Sequence, residues 1–427
     1  MLPDSPLTAE TKYQLLMEIS RKLRDTFDLN ETLNHLLDTL QTIIKYNAAG
    51  IFILSRDIAD QLDKHPSTLI AGIARRGFDP HPDDADRMLM LGEGITGHVI
   101  RTGQPVIIPD VRFDPRYIVG RARTRSEIAI PILLNERVIG ALNVESDAFS
   151  AFNENDLDVL RFFADAAAIS IEKAMLHRKL IEKEHMDEQL KTAGEVQMRL
   201  TPEQPPSLPG YEIAGICLPA YDIGGDYFDY IALEDGRLAI ALADVSGHGV
   251  PAALVMSAFR ALLRTQARIQ PDPPPAMQFL NRTLPEFTGK DDYVTVIYGI
   301  LDPENGEFTF SNCGHPPALL FRSSGEIGQL RQGGPALNVF TERVYEKGQE
   351  TLSPGDMLML FTDGVTENIA PSGEFFELEQ LTRLIQQNYE LPVQEILPLV
   401  VRTVKSFTGS EVFHDDFTLM LIRRTAA

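Results

Sequence analysis

Cysteine is scarce in this chain: Cys217 and Cys313 are the only two in 427 residues. They fall in or beside segments that read as strands far apart in sequence. A disulfide framework and a thiolate zinc site are therefore both excluded, and a reducing, cytoplasmic setting is expected. Basic residues are outnumbered, 39 Lys and Arg against 61 Asp and Glu, giving a net charge of −22. Counterion release from a nucleic acid needs a dense basic surface, and no segment supplies one, so the excess negative charge reads first as solubility. Long apolar runs are missing too. None approaches the length of a membrane span, and the opening MLPDSPLTAETKYQ has neither the basic nor the apolar region of a leader. The expectation is a protein with no membrane and no nucleic-acid partner. Its length, set against roughly 100 to 200 residues per domain, points to two or three domains.

What is present is a set of acids at the ends of water-excluded strands. Asp244 closes LAIALAD, Asp363 closes MLMLFTD, and Asp415 with Asp416 opens DDFTLML. The runs Leu238 to Ala243 and Met357 to Phe361 are apolar at every position, the pattern of strands covered on both faces. Carboxylates gathered at such ends would repel one another unless a cation sat between them. Asp226 follows two glycines in YDIGGDYFDY, and Asp244 precedes another Gly-rich turn in DVSGHG. Singly, each Asp beside a Gly is an ordinary turn residue. Together they point to an oxygen-ligated Mg²⁺ or Mn²⁺, whereas zinc would call for His or Cys at ligand spacing.

The N-terminal part reads as α/β. Helical spacing of Leu15, Leu16, Ile19 and Leu23, then of Leu33, Leu36, Leu37, Leu40, Ile43 and Ile44, predicts two helices. Strands are predicted at 49–54, 68–75, 127–134 and 137–145, the last two joined by a tight turn at Asn135-Glu136. Gly92, Gly94 and Gly97 precede a short helix, and a long helix starts near FNENDLD with Asn153 as N-cap. The ordered blocks GEGITGHVIRTGQPVIIPDV, DPRY, IAIPILLNERVIGALNVES and FNENDLDVLRFFADAAAISIEKA resemble a GAF domain over residues 1–175. The resemblance implies a small α/β sensor with a ligand pocket over an antiparallel sheet, answering to an unknown small-molecule or protein effector. No cysteine lies in residues 1–180, which excludes a covalently attached bilin, and a lone His98 reads as structural rather than as a haem ligand.

Residues 176–208 read as a helical linker ending in the proline-rich TPEQPPSLPG. The apolar stripe Ile171, Leu176, Leu180, Met186, Leu190, Ala193, Val196 or Gln197, and Leu200 suits a short parallel coiled coil that would make a homodimer, or a helix docked on its own domains. Lys183 and Glu184 interrupt the heptad.

Residues 209–427 are mostly strands, predicted at 211–218, 227–233, 237–245, 293–301, 307–312, 318–322, 357–362 and 417–423. Helices are predicted at 251–268, 276–287, 378–388 and 393–407, giving an α+β layered domain. The ordered blocks PAYDIGGDYFDY, LADVSGHGVPAALVM, SNCGHPPALL, LFTDGVTEN and DDFTLMLI resemble the SpoIIE/RsbU-like branch of the PPM (PP2C-type) serine/threonine phosphatases. That resemblance implies a PP2C-like β-sandwich flanked by α-helices and two Mn²⁺ or Mg²⁺ ions. Asp226 would hold one ion, Asp244 would bridge both, and the Val245 carbonyl, Asp363 and Asp415 would complete the set, with Asp416 in support. It implies as substrate a phosphorylated signalling partner, an anti-sigma-factor antagonist, attacked by a metal-activated water at Asp226 and Asp244. Ser246 stands where eukaryotic-type members carry a histidine, leaving His248, His315 or water to protonate the leaving serine. Two other readings compete: an inert ligand-sensing scaffold, and a diguanylate cyclase suggested by GGDYF, which the helix and proline-rich stretch upstream disfavour.

Overall fold

The computed structural model describes residues 28–54, 69–78, 89–90, 92–289, 292–340 and 342–425, in two compact units, Met1–Glu184 and His185–Ala427. The helix expected around Leu15 to Leu23 lies outside the described residues.

In the first unit, helix α1 (Leu29–Ile43) opens on Asp28, whose carboxylate accepts from the Glu31 N–H. Strands β1 (Ala48–Leu54), β2 (Leu69–Arg76) and β3 (Leu89–Met90) follow, then α2 (Gly94–Thr102), β4 (Val106–Ile108), β5 (Ser126–Leu134) and β6 (Arg137–Ser146). They form one sheet in the order β3-β2-β1-β6-β5-β4. The β5–β6 turn has Asn135 and Glu136 at φ 49° and 64°, the double left-handed geometry of a two-residue hairpin. Strand alternation then sorts the side chains. Ile128, Ile130, Ile132, Leu142 and Val144 pack with Leu33, Leu37 and Leu40 of α1, while Ala129 and Ala141 lie with Ile95, Val99 and Ile100 of α2 on the other face.

Helix α3 (Glu154–Met198) begins with a reciprocal cap: Asn153 Oδ1 accepts from the Asn155 N–H at 2.8 Å, and Asp156 accepts from the Asn153 N–H at 2.9 Å. Leu160, Phe163, Ala167 and Ile171 enter the sheet's core. Of the expected stripe, Ile171 thus docks on its own domain, whereas Leu176, Leu180 and Met186 face solvent. The helix runs unbroken past residue 175.

The second unit contains β7 (Tyr211–Leu218), β8 (Tyr227–Ala232), β9 (Leu238–Val245), α4 (Gly249–Ile269), α5 (Pro273–Thr283), β10 (Val294–Leu301), β11 (Glu307–Cys313) and β12 (Ala318–Phe321). Then come β13 (Ile327–Leu330), β14 (Gly333–Gly334), β15 (Gly348–Thr351), β16 (Met357–Phe361), α6 (Asp363–Thr366), α7 (Leu378–Gln387), α8 (Val393–Thr408) and β17 (Phe417–Arg424). One sheet runs β14-β11-β10-β9-β8 with β15 beside β11, the other β13-β12-β16-β17-β7. Alternation explains why the central strands are apolar throughout. Leu238, Ile240 and Leu242 meet Leu358, Leu360, Met420 and Ile422 between the sheets. Ala239, Ala241 and Ala243 face Met256, Phe259 and Leu280 of α4 and α5, and Met357, Met359, Leu419 and Leu421 face Ile385, Ile396 and Val400 of α7 and α8. The result is four layers, α-β-β-α. Strands β13 to β15 were not expected from sequence, because IGQL, GG and GQET are too short and polar to show alternation.

An ion pair between a buried carboxylate and a half-buried guanidinium fastens α4 to its sheet. Asp229, fully buried, accepts from Arg264 Nε at 2.5 Å and Nη2 at 2.9 Å, and from the Tyr227 hydroxyl. Removing only the cation strands a carboxylate in the core, so Arg264→Met should destabilise the unit by about 3 kcal/mol, read as a lower urea midpoint with an unchanged slope.

Candidate metal centre

Antiparallel pairing brings the acids to one end of the sandwich. Strand β9 ends where its neighbour β8 begins, with Tyr227 opposite Ala243, so Asp226 and Asp244 come together on one sheet. Strand β16 ends where β17 begins, with Phe361 opposite Leu419, so Asp363 and Asp415 come together on the other. Sequence separation is cancelled by topology.

Asp416 and Asp226 lace the sheets together. The Asp416 carboxylate accepts from the backbone N–H groups of Ala220 at 2.9 Å, Gly225 at 2.7 Å and Asp226 at 3.3 Å. Asp226 in turn accepts from Thr362 Oγ1 at 2.8 Å and Thr418 Oγ1 at 2.5 Å. The glycines permit this closeness. A Cβ on Gly224 would lie 2.3 Å from Asp416 Oδ2, one on Gly225 would lie 2.8 Å from the Val245 carbonyl oxygen, and one on Gly364 would strike the Asp416 carbonyl at 2.0 Å. Gly247 and Gly249 have open space but φ of 86° and 73°, so there the requirement is conformational. Gln197, near the end of α3, donates to the Gly224 carbonyl at 2.7 Å and accepts its N–H at 3.0 Å, gripping the same turn from behind.

Electrostatically the acids are strained. Burial, then the Asp363, Asp415 and Asp416 carboxylates, push Asp244 up to about 7. Asp226 is raised well above the carboxylate range by burial and then by Asp244 and Asp416. Asp363 is raised by burial, Glu367 and Asp415. Burial also raises Asp416, although its three N–H donors oppose the shift. An all-oxygen donor set whose members repel one another suits a hard divalent cation, which would compete with protons for the same oxygens. Among the described residues no three acidic, histidine or cysteine side chains already close around one point, so a cation would have to draw them together.

The two histidines part company. His315 is buried, its Nδ1 paired with Thr295 Oγ1 at 2.8 Å and its Nε2 with the Phe361 carbonyl at 3.2 Å, and burial lowers its pKa to about 3. With both nitrogens engaged inside the protein it pins β10 to the end of β16, a structural part that sets aside the expectation of a proton donor. His248 is exposed at the N-cap of α4, makes no side-chain cap bond, and its ring lies 5.8 Å from that of Tyr221. Ser246 Oγ accepts from the Tyr293 N–H at 2.9 Å. Thr362 and Thr418 have no signal in the sequence beyond adjoining the acid blocks, and Gln197 reads there only as an alternative position of the helical stripe, not as a partner of the Gly224 turn. The GGDYF segment leads from a turn into a sandwich strand, which removes the cyclase reading.

Asp416→Ala leaves three buried or half-buried N–H groups without their charged acceptor. It should cost about 3 kcal/mol of stability and weaken Mn²⁺ binding, measured by calorimetry, although every proposed ligand is retained.

Comparison with known proteins agrees with this fold. Residues 27–172 match the family model of the GAF domain, and residues 234–425 that of stage II sporulation protein E (SpoIIE). The chain is 28% identical over 243 residues to phosphoserine phosphatase RsbU of Bacillus subtilis, covering 57% of this chain and 72% of that one. It is 24% identical over 205 residues to phosphoserine phosphatase RsbP of the same organism, covering 47% of this chain and 49% of that one. Among solved structures, the SiaA-PP2C domain of Pseudomonas aeruginosa superposes with a TM-score of 0.51 at 19% identity, covering 57% of this chain and 98% of that domain, a likeness of fold. The chain joins a GAF domain to a PPM-type phosphatase domain of the SpoIIE family.

Proposed function

We propose that the chain is a metal-dependent phosphoserine phosphatase acting on a phosphorylated signalling protein, an anti-sigma-factor antagonist, under control of its GAF domain. The observation that carries this reading is the convergence of Asp226, Asp244, Asp363 and Asp415 from both sheets on one end of the sandwich. Two Mn²⁺ or Mg²⁺ ions fit the donor chemistry, and Asp226, Asp244, the Val245 carbonyl, Asp363 and Asp415 would hold them. Bound there, such ions supply a water acidified towards neutrality and a counter-charge for phosphate oxygens.

The chain's own residues do the positioning. Thr362 and Thr418 aim the Asp226 carboxylate from the opposite sheet, and Asp416 holds the turn that carries it. Asp244, only half-buried, stands where a substrate phosphate can approach. His248 is the accessible histidine for protonating the leaving serine; water is the other donor within the same reading. Among the described residues no helix is long and apolar enough to cross a membrane, and both cysteines are free, in keeping with a cytoplasmic protein. The exposed Leu176, Leu180 and Met186 on α3 support a homodimer through that helix.

Manganese-dependent release of phosphate from a phosphoserine peptide tests the activity. The full chain should turn over with Mn²⁺, stop with EDTA and resume on adding excess metal. Asp244→Asn should remove turnover while the circular dichroism spectrum and melting temperature stay near wild type. A folded wild-type protein without turnover on any phosphopeptide or aryl phosphate would favour the inert-scaffold reading instead. For the dimer, sedimentation of a Leu176→Glu, Leu180→Glu double variant should give the monomer mass.

A further inference from the structure

On the face of the first unit's sheet that carries Ala129 and Ala141, two glutamates oppose one another directly: Glu127 of β5 pairs with Glu145 of β6. They are 2% and 3% exposed. Like charges directly opposite in a strand pair are destabilising, and burial compounds the cost. Burial first, and then the facing Glu145 carboxylate, raise Glu127 well above the ordinary range; burial raises Glu145 as well.

The donors that reach them are neutral. Thr124 Oγ1 donates to Glu145 Oε2 at 2.5 Å, and Asn143 Nδ2 reaches Glu127 Oε1 at 3.3 Å and Glu145 Oε1 at 3.5 Å. Among the described residues neither carboxylate has an ion pair. The nearby guanidinium groups make their ion pairs elsewhere, Arg116 on Asp114 at 2.6 Å and Arg121 on Asp147 at 2.9 Å, although the buried Arg121 Nε has no hydrogen-bond partner. Arg75, whose charge is also felt at Glu145, lies over the Phe78 ring at 5.1 Å.

Asn143 supplies an independent observation. It is 4% exposed, and while its amide nitrogen serves the carboxylates, its Oδ1 has no hydrogen-bond partner. That oxygen lies beside Gly50 and the Phe52 ring: a Cβ on Gly50 would be 3.1 Å from Oδ1 and 2.4 Å from Phe52 Cε2. A buried acceptor left unmade costs about 1–3 kcal/mol. Acceptors therefore crowd one face of the sheet next to aromatic rings, Tyr117 among them. These side chains also do not form a metal cage among the described residues. The complement is a compact organic cation rich in N–H.

We propose that this face of the GAF domain binds a small organic ammonium ion, its protonated amine set between Glu127 and Glu145, one N–H on Asn143 Oδ1, and its apolar part against Phe52 and Tyr117. The glutamate pair is then a recognition element whose repulsion the ligand relieves.

Calorimetry on the full chain with butylamine, phenethylamine and putrescine, each beside the alcohol of the same shape, tests this. At least one amine should bind, with its alcohol weaker by at least roughly tenfold. Glu127→Gln should weaken that amine by a similar factor yet raise the melting temperature of the ligand-free protein, because it removes like-charge opposition; Glu145→Gln repeats the test should the first variant misfold. The proposal is overturned if no amine binds, if amine and alcohol bind alike, or if Glu127→Gln lowers the melting temperature, the mark of a structural network. Binding is read directly, so the result is independent of phosphatase turnover.

Discussion

Like charges held close together in a poorly solvated place are the constraint on which the phosphatase unit is built. Carboxylates that would separate in water are kept together by two sheets whose strands start and stop at the same edge. What holds them is the cross-sheet lacing of Asp416 to the Gly225 turn and of Thr362 and Thr418 to Asp226. Those bonds are buried and hold the carboxylates in place against their mutual repulsion. The apolar layers around them serve the same end, because four layers of packed side chains leave the strand ends little freedom to splay.

The turn at Gly224 shows how local chemistry and distant sequence meet. Asp416 lies against it from one side and Gln197, near the end of α3, from another. Neither bond is to a proposed ligand, yet both act on the backbone that positions Asp226. The first unit uses a related device, with Glu127 and Glu145 opposed on a ladder whose other face is an ordinary apolar core. Alternation along β5 and β6 allows this: one face supports the fold, and the other is left to carry unsatisfied polar groups.

Much of the architecture was legible in the sequence because periodicity and turn chemistry are local. The apolar run of β9, the Asn135-Glu136 turn, the Asn153 cap and the bounds of α7 and α8 all followed from neighbours a few residues apart. Strands β13 to β15 escaped because a short polar strand is defined by its partner rather than by its own pattern. The same distinction separates the histidines. His315 and His248 both sit in Gly-rich segments, and only burial between β10 and β16 shows that one is pinned while the other is at the surface. Ile171 likewise reads as one more residue of a helical stripe until the sheet takes it into its core.

The sequence by itself determined the ordered acid blocks, their glycine neighbours and the two-sided strands that had to be covered by helices, since residue type and spacing suffice for these. Only the tertiary structure decided that Thr362, Thr418 and Asp416 hold Asp226 across the sandwich, and that Glu127 faces Glu145 beside an unpartnered Asn143 oxygen. The physical reason is range. Propensity and periodicity act over a few residues, whereas electrostatic strain depends on which charges the completed fold brings within a few ångströms of each other and removes from water.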